Sequence, residues 1–179
     1  GGEVSELVYC MADVQVRPIV LNKKIERVPP SPLNPKTLPF ECFSAADAET
    51  LSPDDFDNHV GAVQQSLSDK TSIGDKLNVL AHIERLCQSP PLCDALAASE
   101  LSLTLVRIMR RSKSPQLRAR VAHVVGLLVR HTSLLSVDLQ GGGLVVALTE
   151  GVRDREVRVR RPSMAALGEL LFYVASQED

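Results

Sequence analysis

An internal period of forty residues constrains the fold of this chain more than any other feature. When the sequence is shifted by forty positions against itself, residues 114–120 align with residues 154–160 without a gap. Other matched positions are apolar in both copies: Leu105 with Val145, Val106 with Val146, Val124 with Met164, and Leu127 with Leu167. A period of about forty residues is typical of armadillo and HEAT repeats, each built from two or three helices. The competing explanation is chance similarity between two copies.

A weaker third copy begins at Asp75, where Leu77 matches Leu117 but Glu84 falls against Val124. Such a copy is expected at an end of a solenoid, where repeats are atypical. With 44% apolar residues, four Phe, two Tyr and no Trp among 179 residues, the core must be built from Leu, Val, Ala and Ile, which suit stacked helices. The sequence therefore predicts one all-α domain, an armadillo/HEAT-like helical repeat solenoid over residues 44–179.

Capping residues and apolar spacing predict where the helices lie. Ser52-Pro53 and Ser114-Pro115 each place a capping serine before a proline at the first helical position. We expect helices over about residues 52–68, 73–87, 92–98 and 100–111, and a longer one from 114. Pro162 falls inside the last expected helix, over 154–176, and predicts a bend or a split there, with the longer part starting at Ser163. Glycines 141, 142 and 143 predict a turn.

The first 43 residues are expected to form an extended, proline-rich arm. Six prolines at positions 18, 29, 30, 32, 35 and 39 are incompatible with a regular helix or a central strand. A flexible linker would not carry several large aliphatic residues, so we expect Pro18, Ile19, Leu21 and Ile25 to dock in a groove on this domain or on a neighbouring one. The chain starts with neither Met nor a signal sequence, and we expect it to be a fragment of a larger protein.

No motif indicates catalysis, a cofactor or a metal. The chain has no glycine-rich phosphate loop, no nucleophile elbow and no zinc-protease motif. The four cysteines form no CxxC pair, so reduced thiols are expected. We interpret the scattered histidines as structural, and the adjacent carboxylates Asp54 and Asp55 as first-turn acids that favour the helix dipole. No apolar run reaches the roughly 18 residues that cross a bilayer. We therefore expect no catalytic residue, cofactor or metal site.

Charge is divided unevenly along the chain. Residues 41–100 hold eleven acids against three bases, whereas residues 101–163 hold twelve bases against four acids. Because equivalent positions of stacked repeats share an edge, we predict a basic, partner-binding edge for an acidic protein, formed by Arg118, Arg120, Arg155, Arg160 and Arg161. The alternative is that Arg118 and Arg158 form ion pairs with acids of adjoining repeats. Nucleic acid is disfavoured, because the set lacks interleaved aromatic residues.

Four strings add a family resemblance: residues 5–9, 17–25, 118–126 and 167–178. Together they resemble the region after the kinase-like domain of ULK-type pseudokinases. The likeness is to the fourth paralogue of that group, which is related to plant Runkel and more distantly to Fused. It covers nearly the whole chain in order and is weakest between about residues 33 and 93. The resemblance implies an arm that leaves a kinase lobe, followed by the first units of a long repeat array.

The resemblance also implies a location and a class of partner. Animal and algal members of the family are associated with motile cilia and a Fused-type partner, and the plant member with microtubules. We therefore expect a scaffold in the cytoplasm and cytoskeleton, in a ciliary axoneme. Its expected partners are axonemal proteins, tubulin or a Fused-type kinase, and its own kinase-like domain through the arm, with no membrane partner. The alternative is a segment that regulates a Fused-type serine/threonine kinase in cis or in trans.

A third possibility is an unrelated helical adaptor for trafficking or nuclear import. The inner helices lack the repeated asparagine with which import-type armadillo arrays bind a peptide backbone. This absence argues against that role.

Overall fold

The structure is a computed structural model that describes residues 30–133, 135, 139, 141 and 143–177. From Ser31 onward the chain forms one compact unit. The described residues contain a short 3-10 turn, Pro35–Thr37, and no β-strand. Their α-helices are α1 (Ala45–Glu49), α2 (Pro53–Gln65), α3 (Ile73–Leu86), α4 (Pro90–Ala98), α5 (Glu100–Arg111), α6 (Pro115–His131), α7 (Leu144–Val152) and α8 (Val157–Ala175). The predicted all-α fold is confirmed.

Serine caps determine where most of these helices begin. The Ser52 hydroxyl accepts a hydrogen bond from the Asp55 backbone N–H at 3.1 Å and donates one to the Asp55 carboxylate at 2.7 Å. Ser44 with Asp47 and Ser72 with Asp75 repeat this arrangement. Ser89 and Ser114 cap α4 and α6, which both start with proline. Each cap satisfies a backbone donor that the helix itself leaves unpaired.

The helices form two rows in which each repeat packs against the next. The shorter helices α2, α5 and α7 contact one another in that order, and the longer helices α3, α6 and α8 do the same. The α6–α8 contact is the most extensive. It is close because Gly126 carries no side chain: a Cβ there would lie 3.2 Å from the Cβ of Ala166, forty residues further on. Stacking of equivalent helices at this period is the arrangement of a helical repeat solenoid.

One continuous core connects α1 to α8. Phe56, Val60 and Val63, which follow a helical spacing along α2, are buried, and so is Leu67 just after the helix. Leu80, Ile83 and Leu86 are buried on α3, as are Leu117, Val121 and Leu128 on α6. The apolar periodicity therefore identifies the buried face of these helices correctly.

Pro162 does not split the last helix, so this part of the prediction is wrong. Helix α8 runs unbroken from Val157 to Ala175 with Pro162 inside it. Proline in a helix interior costs roughly 3 kcal/mol through one missing hydrogen bond and a steric conflict. Here Val159, Ala166 and Leu170 are buried on the same helix, and their packing offsets that cost. Among the described residues no helix is both long enough and apolar enough to span a bilayer.

Residues 31–43, which were expected to belong to the arm, pack against the first helical pair. Leu38, Phe40 and Phe43 contact the apolar core. The Asn78 side chain of α3 holds the backbone of Asn34: its oxygen accepts the Asn34 N–H at 2.8 Å, and its amide nitrogen donates to the Asn34 carbonyl at 2.9 Å. The positions predicted to dock, Pro18, Ile19, Leu21 and Ile25, lie outside the described residues.

Candidate protein-interaction surface

Arg118 connects two consecutive repeats. Its guanidinium makes a bidentate contact with the Asp154 carboxylate, at 2.8 Å from Nε and 3.1 Å from Nη2. Nη1 donates to the Ser112 carbonyl at 2.9 Å. The Arg118 hydrogen bond lowers the pKa of Asp154, although partial burial acts in the opposite direction. Arg118 thus forms the ion pair between adjoining repeats that the alternative interpretation expected.

Arg120 is also engaged within the chain, through Glu84 of α3. The Glu84 carboxylate lies 3.5 Å from Arg120 Nη1 and 3.5 Å from His123 Nε2, both on α6. It also accepts a hydrogen bond from the Ser31 hydroxyl. Burial by itself would raise the pKa of Glu84, but the hydrogen bonds from His123 and Ser31 and the nearby charges lower it to about 2. Glu84 thus joins the N-terminal segment to the first two repeats.

Of the remaining candidates, Arg155 and Arg161 are exposed, as is Arg158. Arg158 Nε lies 3.9 Å from the Glu156 carboxylate, which is a long contact. Arg160 is exposed but donates from Nη1 to the carbonyls of Asp154 and Arg155, at 2.9 and 2.8 Å, and so stabilises the turn before α8. Arg161 occupies the position that buried Val121 occupies one repeat earlier.

Exposed basic residues gather at the turns between the paired helices. Arg111 is the last residue of α5 and Lys113 follows it in the α5–α6 turn. Arg153 and Arg155 lie in the α7–α8 turn. Equivalent turns of a solenoid lie on the same edge, so these residues form one basic edge. Sequence reasoning found Arg155 but missed Arg111, Lys113 and Arg153. The sequence did contain a signal for two of them, because Lys113 aligns with Arg153 when the chain is shifted by forty residues.

An apolar face is exposed on α7 and α8 where the preceding repeat is buried. Relative exposure rises from 0% at Leu105 to 54% at Val145, and from 2% at Val106 to 47% at Val146. It likewise rises from 2% at Leu117 to 51% at Val157, and from 0% at Val124 to 56% at Met164. These four pairs are forty residues apart. Among the described residues, the second member of each pair is therefore covered much less than the first.

Two histidines that are 23 residues apart in the sequence form a buried pair. His59 Nε2 of α2 and His82 Nε2 of α3 are 3.0 Å apart. Phe43 meets the His59 ring edge to face, and Cys42 Sγ lies 3.6 Å from His82 Nδ1. Burial lowers the pKa of both histidines, and that of His82 falls to about 4 with further contributions from His59 and Arg85. Both rings are therefore neutral at pH 7, when one nitrogen of the pair donates and the other accepts.

Neither this pair nor the rest of the described chain assembles three or more His, Cys, Asp or Glu side chains that could hold a metal ion. Cys42, Cys87 and Cys93 form no disulfide with one another. What the described residues do provide is a basic edge, an apolar end face and a polar attachment for the N-terminal segment. In proteins generally, exposed apolar patches and edges of one charge sign often mark sites of interaction.

The chain is similar to parts of two long kinases, among other relatives. The chain is 32% identical over 176 residues to the serine/threonine-protein kinase RUNKEL of Arabidopsis thaliana, and 28% identical over 183 aligned residues to the serine/threonine-protein kinase ULK4 of Mus musculus. The alignments cover 98% and 99% of this chain but only 13% and 14% of the relatives. No protein-family model matches the chain, and no solved structure matches it.

Proposed function

Because this chain is homologous over its whole length to RUNKEL and ULK4, and so to the ULK- and Fused-related kinases, we propose that it is a non-catalytic, protein-binding stretch of helical repeats. In this proposal it follows the kinase-like domain of a ULK-type pseudokinase, the fourth paralogue of its group. The repeats are the first units of a longer armadillo- or HEAT-type array. The whole protein's activity belongs to parts outside this chain.

The observation that carries the proposal is the apolar end face on α7 and α8. Val145, Val146, Val157 and Met164 occupy positions that are buried one repeat earlier. Each fully buried side chain of this kind contributes about 1.5–3 kcal/mol, so leaving four of them in water is unfavourable. A further repeat stacked on α7 and α8 would bury them as α7 and α8 bury α5 and α6. Arg158 would then be placed to pair with that repeat, as Arg118 pairs with Asp154.

The basic edge is the surface that we propose for the partner. Arg153 and Arg155 are exposed at the α7–α8 turn. A further repeat would stack on the helices and leave this turn uncovered. Such an edge attracts an acidic protein surface. With the family resemblance, this favours tubulin or an axonemal protein as partner, in the cytoplasm and in the axoneme of a motile cilium.

Reversing the charge of the edge should weaken this binding without unfolding the domain. We expect the double variant Arg153→Glu/Arg155→Glu to reduce co-sedimentation with microtubules by ~10-fold or more, with the wild-type interaction itself weakening as salt increases. The matched control is Lys36→Glu/Arg130→Glu, which changes net charge equally at exposed positions away from these turns. Arg160 is kept because it stabilises the α7–α8 turn. Equal binding by the edge variant and the wild type would contradict the basic-edge proposal.

The regulatory alternative is favoured by the attachment of the N-terminal segment to the array. Ser31 and Asn34 form hydrogen bonds with Glu84 and Asn78 of α3. A change in the position of the N-terminal segment would therefore be transmitted to the first repeat. Under this alternative, adding the chain to an isolated Fused-type kinase should change its rate of substrate phosphorylation. Under the scaffold proposal the rate should stay the same. A Glu84→Gln/Asn78→Ala variant should lose any such effect.

A further inference from the structure

A cavity of about 360 Å³ opens between the first two repeats, beside the α2–α3 and α5–α6 turns. Its apolar part is formed by Leu67, Ile108 and Leu117, which are buried. Lys76, Arg107 and Arg111 line it with positive charge. A volume of this size is within the range of small-ligand sites.

Among the described residues, the positive charge in this cavity is only partly balanced. Asp69 is the one carboxylate that lines it. None of the three cations forms an ion pair with a carboxylate in the part of the chain that the structure describes. Arg107 donates only a long hydrogen bond of 3.4 Å, to the Thr104 hydroxyl. Three cations and one carboxylate leave an excess of two positive charges.

The cavity at the next junction between repeats differs, because its charged side chains are paired with one another. The cavity between the second and third repeats is half the size, about 180 Å³, and Arg110 and Arg118 line it together with Glu150 and Asp154. Each arginine there is paired with a carboxylate, at 3.2 Å and 2.8 Å. The second junction therefore balances its own charges.

The forty-residue shift explains why the first junction lacks this balance. The position of Glu150 is occupied one repeat earlier by Arg110, and that of Asp154 by Ser114. The position of Gly151, which forms part of the second cavity, is occupied in the first by Arg111. At the first junction Arg110 and Ser114 thus stand in place of the two acids, and Arg111 adds a positive charge to the cavity wall. An anion from outside the chain would restore the missing charge.

We propose that this cavity binds a phosphorylated serine or threonine side chain of a partner protein. A phosphate carries close to two negative charges at pH 7, which matches the excess in the cavity. Arginine guanidinium groups bind phosphate oxygens in bidentate geometry, and the buried Leu67, Ile108 and Leu117 provide an apolar wall for the carbon atoms that carry the phosphate. Because Arg111 also belongs to the basic edge, the inference names ligand chemistry for that edge and rests in part on the proposed function.

The test uses the full chain and two chemical probes. Inorganic phosphate, and the blocked tripeptide Ala-phosphoserine-Ala with its unphosphorylated form, are titrated at constant ionic strength while backbone amide shifts are followed by NMR. We expect phosphate and the phosphopeptide to shift amides of residues 68–69 and 107–112. The unphosphorylated tripeptide should shift none of them. If the phosphopeptide shifts none, or if both tripeptides act alike, the proposal is wrong. If only inorganic phosphate binds, the assignment to a protein ligand is wrong.

Variants separate the cavity from general charge effects. Arg107→Gln/Arg111→Gln should weaken phosphopeptide binding by ~10-fold or more, because two charge-assisted contacts are removed. The control Lys36→Gln/Arg130→Gln should bind as the wild type does, and equal weakening in the control would overturn the assignment. Lys76→Gln, which keeps both arginines, provides a milder second test if the double variant unfolds. Arg153→Glu/Arg155→Glu should keep phosphopeptide binding, so failure of the edge proposal and failure of this one are distinguishable.

Discussion

Replacing Gly151 by valine should lower the free energy of unfolding by about 3 kcal/mol or more, since overpacking a filled interior is costly. Gly151 lies near the end of α7, between α5 and α8. A Cβ there would lie 2.6 Å from the terminal carbon of Met109 and 2.8 Å from the Cβ of Ser163, and it would also overlap the Ser163 hydroxyl. That hydroxyl donates to the Val159 carbonyl at 2.7 Å, so it cannot move without losing a buried hydrogen bond. The two methyl groups of valine would then have to displace α7 from its neighbours.

Equilibrium urea denaturation at pH 7, followed by circular dichroism, measures the effect. The matched control is Gly61→Ala on α2, where a new Cβ meets nothing within 4 Å. Alanine should stabilise that helix by roughly 0.5–1 kcal/mol, because glycine is a weaker helix former. A Gly151→Val protein within 0.5 kcal/mol of the wild type would show that α7 packs less tightly than the structure indicates.

Acidification from pH 7 to pH 5 should cost about 2 kcal/mol of stability through His82 alone. The pKa of His82 is lowered from 6.5 to about 4 in the folded chain, chiefly by burial. Between these two values the unfolded chain binds a proton that the folded chain does not bind, so stability increases with pH across this range. The contribution is complete above pH 6.5 and is lost as pH falls toward 4. Between about pH 4.5 and pH 2 the unfolded chain binds a proton at Glu84 that the folded chain, where the pKa of Glu84 is about 2, does not bind, so stability falls further.

His82→Gln removes the titrating ring while leaving a side chain that can hydrogen-bond to His59. Its urea midpoint should depend much less on pH between 7 and 5 than that of the wild type. The matched control is His131→Gln, the same substitution at an exposed position. If His82→Gln shows the same loss of stability as the wild type over this range, the buried histidine pair is not the cause.

Local sequence signals were sufficient for most helix starts and for the buried faces. The expected start at Glu100 is found as predicted, and α2 and α6 begin at the prolines that follow Ser52 and Ser114. These features depend on contacts within three or four residues, which the sequence displays directly. The error at Pro162 has the opposite origin. Proline disfavours a helix interior locally, but the packing of α8 against α6 and α7 involves residues far away in sequence.

The candidate surface was only partly predictable for the same reason. Arg118 and Asp154 are 36 residues apart, and nothing in either neighbourhood indicates that they pair at 2.8 Å. Glu84 looked like a mismatch with Val124, yet it meets Arg120 and His123 on α6. The exposed edge could be separated from the internal ion pairs only after the distances were known.

The sequence by itself determined that the chain is an all-α repeat protein, because a forty-residue period, serine caps and apolar spacing are local and repeated signals. It also established the resemblance to the ULK- and Fused-related kinases, which the relatives support over the whole chain. Only the tertiary structure decided which arginines are used internally, where the two buried histidines meet, and which junction between repeats lacks counter-charges. Those outcomes depend on distances between residues that are far apart in sequence, and such distances exist only once the helices are packed.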